Sequence, residues 1–196
     1  CLGHEAKRCT FGAFNLISMN SEQIRIGFLG AGGIARANAY ALNSLKYFYA
    51  AVPEIVFEAV CSARKSSSDA FAAQYHFRKS LTLDEFIGDP EINTVFILGP
   101  NKVHFEHLKL ALAMPSVNRI YLAKPVCSNI EEEKQMLELV GHSDKIIQIG
   151  FQYLQTASVR EALAFWRSGK LGKPIHFDLK YYHGDYLQQS YREKRV

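Results

Sequence analysis

The sequence predicts an α/β protein, a doubly wound parallel sheet followed by the truncated start of an α+β domain with an antiparallel sheet. Three observations carry this. The apolar run Ile24–Leu29 leads directly into a glycine-rich turn, Gly30-Ala31-Gly32-Gly33-Ile34-Ala35. Short apolar runs then alternate with helix-period segments, the pattern of strands joined by right-handed crossovers. Near Phe151 the character changes to a helix followed by an alternating segment, which suits a second sheet of the antiparallel kind.

Taken in order, Ile24–Leu29 reads as a strand buried on both faces, and Ile34–Tyr47 as a helix with Ala, Leu and Tyr recurring on one side. Ile55–Cys61 is a second strand and Ser66–Tyr75 a second helix. Ser80–Leu83 is a short third strand, and Asp84–Ile87 a helical turn ending at Gly88-Asp89-Pro90. Thr94–Leu98 is β-branched and aromatic, as a central strand should be, and Gly99-Pro100-Asn101 ends it. Pro115 stops the helix His104–Met114. Arg119–Leu122 is the fifth strand, broken by Ala123-Lys124-Pro125. Ser128 or Asn129 caps the helix Ile130–Gly141, whose first turn holds Glu131, Glu132 and Glu133 where the helix dipole favours them. Lys145–Gly150 is a sixth strand. Ser158–Ser168 is a helix closed by Gly169, and Ile175–Tyr182 an alternating strand.

Composition sets the outer bounds. With 48% hydrophobic and 21% charged residues the 196-residue chain can bury a core. The net charge of +4 comes with no block of like charge, so neither nucleic acid nor a membrane surface is the expected partner. Cys1, Cys9, Cys61 and Cys127 fit no zinc spacing and form no Cys-x-x-Cys pair. No metal is expected, and free thiols in a cytoplasmic setting are the default. No apolar stretch is long enough to span a bilayer. Residues 1–18 have scattered charge and no sustained apolar run. They read as a non-native or disordered leader, with residues 19–150 as the first domain and residues 151–196 as the incomplete start of the second.

The turn itself carries chemistry. Gly30-x-Gly32-x-x-Ala35 has the order of a Rossmann dinucleotide turn. The first glycine makes the tight turn, the second lets backbone approach a pyrophosphate, and the alanine lets helix pack on sheet. Unpaired N–H groups at the helix start then receive the anion. Such a turn alone is a weak signal; strand before and helix after give it the required context. At the end of the second strand a carboxylate would select NAD through the ribose. Here the run is Cys61-Ser62-Ala63-Arg64-Lys65. With no acid to repel a 2′-phosphate, and with Ser62, Arg64 and Lys65 at hand, NADP(H) is favoured over NAD(H). The competing reading leaves Arg64 and Lys65 as surface cations.

The pieces IRIGFLGAGGIA, DPEINTVFILGPNKVHFEH, YLAKPVCSNIEEEKQM and IQIGFQY followed by WRSGKLGKPIHF stand in one order from Ile24 to Phe177. In that order and spacing the chain resembles the Gfo/Idh/MocA oxidoreductases, named for glucose–fructose oxidoreductase, inositol dehydrogenase and the MocA protein. The resemblance implies that Pro100, Asn101 and His104 follow the nicotinamide side of the cofactor. It matches Ala123-Lys124-Pro125 to a Glu-Lys-Pro motif whose proline is often cis. Lys124 then lies beside nicotinamide and substrate and assists proton transfer, a task that partial burial would suit by lowering its pKa. Gln152 is implied to line the cleft. Ala123 departs from the motif, and the family's C-terminal Asp-x-Gly-x-His segment lies beyond this chain.

The implied activity is hydride transfer between nicotinamide and a sugar, cyclitol or related polyol or ketone, with Lys124 as the catalytic residue and homo-oligomers formed through the C-terminal domain. Two alternatives stay open: transient oxidation ending in glycoside cleavage or elimination, and a nucleotide-binding sensor or partner subunit. His76, His107 and His142 read as solvated, and His183 and Asp185 as turn residues. Tyr181, Tyr182 and Tyr186 read as sheet packing, and Trp166 as a packed helix residue. No Ser/His/Asp triad, metal-binding helix motif or P-loop can be assembled.

Overall fold

The computed structural model describes residues 23–173, 175–180, 182, 184 and 187–189. The leader, His183, Asp185, Tyr181 and Tyr186 lie outside these residues. The chain divides into two compact units, one ending at Phe151 and the next starting at Gln152.

In the first unit six strands form one all-parallel sheet: β1 (Ile24–Leu29), β2 (Ile55–Cys61), β3 (Lys79–Leu81), β4 (Thr94–Ile97), β5 (Arg119–Leu122) and β6 (Ile146–Ile149). Their order across the sheet is β3-β2-β1-β4-β5-β6, the Rossmann arrangement, with the order reversing between β1 and β4. The helices are α1 (Gly33–Phe48), α2 (Lys65–Tyr75), α3 (Leu83–Ile87), α4 (His104–Ala113) and α5 (Ile130–Gly141). A short 3-10 turn, Asn101–Val103, precedes α4.

Two cores follow from two helix layers. Ala35 and Ala39 of α1 and Phe71 and Ala72 of α2 cover one face with Phe28 and Phe77. The small side chains at Ala35 and Ala39 are fully buried, so α1 lies close on the sheet. On the other face Phe86, Leu108, Ala111 and Met136, from α3, α4 and α5, pack on Leu29, Val95, Ile97, Ile120 and Leu122. Gly27 makes room for this layer, since a Cβ there would sit 2.5 Å from the Phe86 ring.

One strand departs from a smooth ladder. Ile26 pairs with Phe57 and Gly27 with Ala59, so Glu58 is an extra residue in β2. Its carboxylate is buried and surrounded by cations. Arg25 approaches at 2.9 Å, Lys79 at 3.1 Å and Arg78 at 3.4 Å. Burying a carboxylate is tolerable only with such pairing.

The second unit contains a 3-10 turn, Gln152–Gln155, and helix α6 (Ala157–Arg167). The alternating strand expected at 175–182 is corrected here: residues 175–180 and Tyr182 have no regular structure. Ile175 is 99% exposed and Tyr182 87%. Alternation sets which side chains share a face, but a strand also needs a neighbour for its N–H and C=O groups, and none exists for it among the described residues. Trp166 stays half-exposed and meets Phe177 at 6.5 Å between ring centroids.

Candidate functional site

The C-terminal ends of β1 to β4 surround a cavity of about 780 Å³. The glycine turn forms its floor. Gly30 has φ +124°, and a Cβ there would lie 2.7 Å from the Leu98 carbonyl carbon. Only glycine allows β1 and β4 to leave the sheet this close together. At Gly32 and Gly33 an added Cβ would meet nothing within 4 Å. Those two backbones therefore face open space. Gly32 is also the N-cap of α1, with no side chain capping the helix and no acid in its first turn. Free N–H groups at an uncapped helix start, reached over bare backbone, suit a pyrophosphate.

Of the residues expected to hold a cofactor, Gly30, Gly32, Gly33, Ile34, Ser62, Arg64, Lys65 and Pro100 line this cavity. Ala35 is buried beneath it. Asn101 begins the 3-10 turn and is exposed, but it is not part of the wall.

The ribose end is more specific than its residue types. The Ser62 hydroxyl donates to the Arg64 carbonyl at 2.8 Å. Lys65 bonds Ser80 at 3.1 Å and pairs with Asp69. The hydrogen bond from Lys65 holds the Asp69 carboxyl below its ordinary range. Arg64 has no carboxylate in salt-bridge range among the described residues. A second cavity, about 440 Å³, places Arg64 beside Arg36, Ser66 and Ser67. Sequence reasoning missed Arg36, which stands one residue past the glycine pattern. Cys61 occupies the strand end where an acid would stand, and burial pushes its thiol up, keeping it neutral.

His104 is corrected. It does not face the cleft; it is 1% exposed. Its Nδ1 lies 2.7 Å from the Pro125 carbonyl oxygen and its Nε2 2.9 Å from that of Gly99. Both ring nitrogens thus lie within hydrogen-bond range of a carbonyl oxygen, and a nitrogen that carries a proton donates to it. His104 therefore ties the loop after β4 to the loop after β5.

In that second loop the Lys124-Pro125 peptide is cis. Lys124 is exposed, so the partial burial expected for it is not supplied by the described residues. Ala123 is buried against the apolar layer around Leu98 and Phe96. Neither Lys124 nor Pro125 lines the cavity, and Gln152 belongs to the second unit.

His107 corrects a second expectation. It is not a solvated surface residue: it lines the cavity, and its Nδ1 is buried with no partner. Its spacing from His104 was the available signal, since residues three apart share a helix face.

An uncapped helix start, a glycine turn and a reversal of strand order at one sheet edge define a dinucleotide-binding protein of the Rossmann class. The comparisons make the class narrower. The family described as "Oxidoreductase family, NAD-binding Rossmann fold" (GFO_IDH_MocA) matches residues 24–151, and the chain belongs to that family. Levoglucosan dehydrogenase of Pseudarthrobacter phenanthrenivorans is 26% identical over 85% of this chain and 42% of its own length. Glucose-6-phosphate 3-dehydrogenase of Bacillus subtilis is 27% identical over 78% of this chain and 42% of its own. Among solved structures, levoglucosan dehydrogenase with NADH and levoglucosan superposes with a TM-score of 0.69 at 25% identity, covering 78% of this chain and 41% of that one. The chain thus spans less than half the length of these relatives. No helix among the described residues is long and apolar enough to cross a membrane.

Proposed function

We propose that this chain belongs to an NAD(P)-dependent oxidoreductase acting on the CH–OH group of a sugar, cyclitol or related polyol, or on the matching ketone. The carrying observation is that the open glycine turn after β1 shares its cavity with the loop after β4, and that His104 binds this second loop to the Lys124-Pro125 turn after β5. The cofactor supplies the hydride acceptor or donor. The protein's share is to hold the pyrophosphate on the N–H groups at Gly32–Ile34, to place the two loops, and to move a proton. Lys124 gives or takes that proton at the substrate oxygen. The relatives that act on levoglucosan and glucose 6-phosphate support the substrate class. A domain boundary near residue 150, homo-oligomers through the C-terminal domain and a cytoplasmic setting belong to the same reading.

The 2′-phosphate preference belongs here too. Arg64 and Arg36 share one small cavity with the start of α2, and nothing acidic opposes them there. The solved relative is a complex with NADH, which points to NAD, so the proposed preference is supported by this chain's strand end alone. NADPH is expected to bind more tightly than NADH, and Arg64→Ala to weaken NADPH about tenfold while sparing NADH. Clearly tighter NADH binding discards the preference.

For the proton role, Lys124→Ala in the full-length protein is expected to lower turnover on keto-sugars by about a hundredfold or more, with cofactor affinity unchanged. Unchanged turnover discards it. A second reading, a nucleotide-binding sensor, is favoured by Ala123, which leaves no carboxylate to hold the lysine. Cofactor binding without turnover in the full-length protein would select that reading.

A further inference from the structure

The large cavity is asymmetric about the glycine turn. On one side it continues past Ser62–Lys65 to Leu81, Thr82 and Leu83 at the end of β3. No residue of the loops after β5 or β6 lines it. In a doubly wound sheet the end of the second strand faces the adenosine ribose. The far end of the cavity is therefore the base end of a dinucleotide. Leu81, Leu83 and Val103 give the cavity apolar lining, and α4 adds one polar ring, His107.

That ring is in an unusual state. Its Nδ1 is sealed from solvent and has no hydrogen-bond partner. It is packed toward Gly99, where a Cβ would come within 3.8 Å of Nδ1. Burial first, and His104 second, lower the affinity of the ring for a second proton, so it is neutral. A neutral imidazole carries one N–H. A buried N–H without an acceptor is rarer than an under-satisfied acceptor. The proton therefore sits on Nε2, and the polar atom left to meet an occupant of the cavity is a donor. A purine offers what this end asks for: apolar faces for the Leu81, Leu83 and Val103 lining, and ring nitrogens that accept.

We propose that His107 recognises the adenine base, with Nε2–H donating to a ring nitrogen of the purine held against the Leu81, Leu83 and Val103 lining. The proposal rests on the dinucleotide reading of the cleft. It makes His107 a binding residue that no glycine or ribose motif announces, and it assigns the same role with NADH and with NADPH.

The test is titration of the full chain with ADP, NADH and NADPH, comparing the native protein with His107→Phe and His107→Gln. Phe keeps a flat ring without the donor; Gln restores an N–H. The expected result is a loss of about tenfold in affinity for ADP and for both dinucleotides in His107→Phe, partly recovered in His107→Gln. Because Nδ1 has no partner in the folded protein, His107→Phe is also expected to keep or raise Tm. ADP binding unchanged in His107→Phe overturns the proposal. So does a lowered Tm with weaker binding of ADP, which marks a structural role. If the native chain binds none of the three, the dinucleotide reading itself fails and takes the proposal with it.

Discussion

β1 is sealed on both faces, whereas β6 is covered on one. Ile26, Phe28 and Leu29 of β1 are at most 1% exposed. In β6, Ile147 and Ile149 pack on the layer under α5, but Ile146 is 66% exposed. Parallel strands are ordinarily buried on both faces. The half of the sheet that holds β1 thus has its own core, and the half that carries Lys124 leaves an apolar edge open among the described residues. Stability and dinucleotide binding are concentrated in the first half. The second half carries the exposed Lys124, the proposed proton-handling residue, on the loop after β5.

The largest effect that would test this contrast is in β1. Phe28 lies among Phe57, Phe71, Phe77 and Phe96, with ring centroids 5.0–6.3 Å away. Phe28→Ala is expected to cost about 3–5 kcal/mol in denaturant unfolding. A much smaller loss would show that the two halves share the load. Next comes the link between them. His104→Leu strands two carbonyl oxygens and is expected to cost about 1–3 kcal/mol. It should also weaken dinucleotide binding in a fluorescence titration.

A smaller effect belongs to α3, whose start is a capping box. The Thr82 hydroxyl accepts from the Glu85 N–H at 3.4 Å, and the Glu85 carboxylate accepts from the Thr82 N–H at 2.8 Å. Thr82→Ala is expected to cost about 1 kcal/mol. The bond from the Thr82 backbone, followed by that from its hydroxyl, holds the Glu85 carboxyl below its ordinary range. Its contribution is therefore present above the ordinary glutamate value, about 4.5, and is lost as pH falls through the depressed folded value. The native protein should lose stability over that acid window, and Thr82→Ala should lose less. The smallest effect is on the open edge: Ile146→Thr is expected to stay within about 0.5 kcal/mol. A cost comparable to a core substitution would mean that the outer face of β6 is covered, and the contrast between the halves would fail.

Much of this architecture is written in local pattern. Ile55–Cys61, Arg119–Leu122 and Ile130–Gly141 begin and end where the sequence places them, because buried parallel strands are continuous apolar runs and Asn129 caps its helix. The turn Gly30–Ala35 is legible for the same reason: each residue type answers a local demand of backbone geometry. What local pattern does not carry is partnership. Residues 175–180 alternate without a neighbouring strand. His104 looks like a ligand until its two carbonyl partners, 5 and 21 residues away in the chain, are known. His107 and Arg36 line cavities made by the approach of separate elements. Glu58 lies inside an apolar run, and only the extra residue in the ladder explains how an acid is accommodated there.

The bridge made by His104 has a consequence for how two loops are coupled. The Gly99 carbonyl marks one end of the bridge, in the loop that walls the cavity. The Pro125 carbonyl marks the other, one residue from the exposed lysine. A single buried ring therefore couples the backbones of the two loops. In the proposed reading, a dinucleotide resting against Pro100 and Val103 therefore reaches, through this one ring, the backbone that carries the proposed proton-handling Lys124.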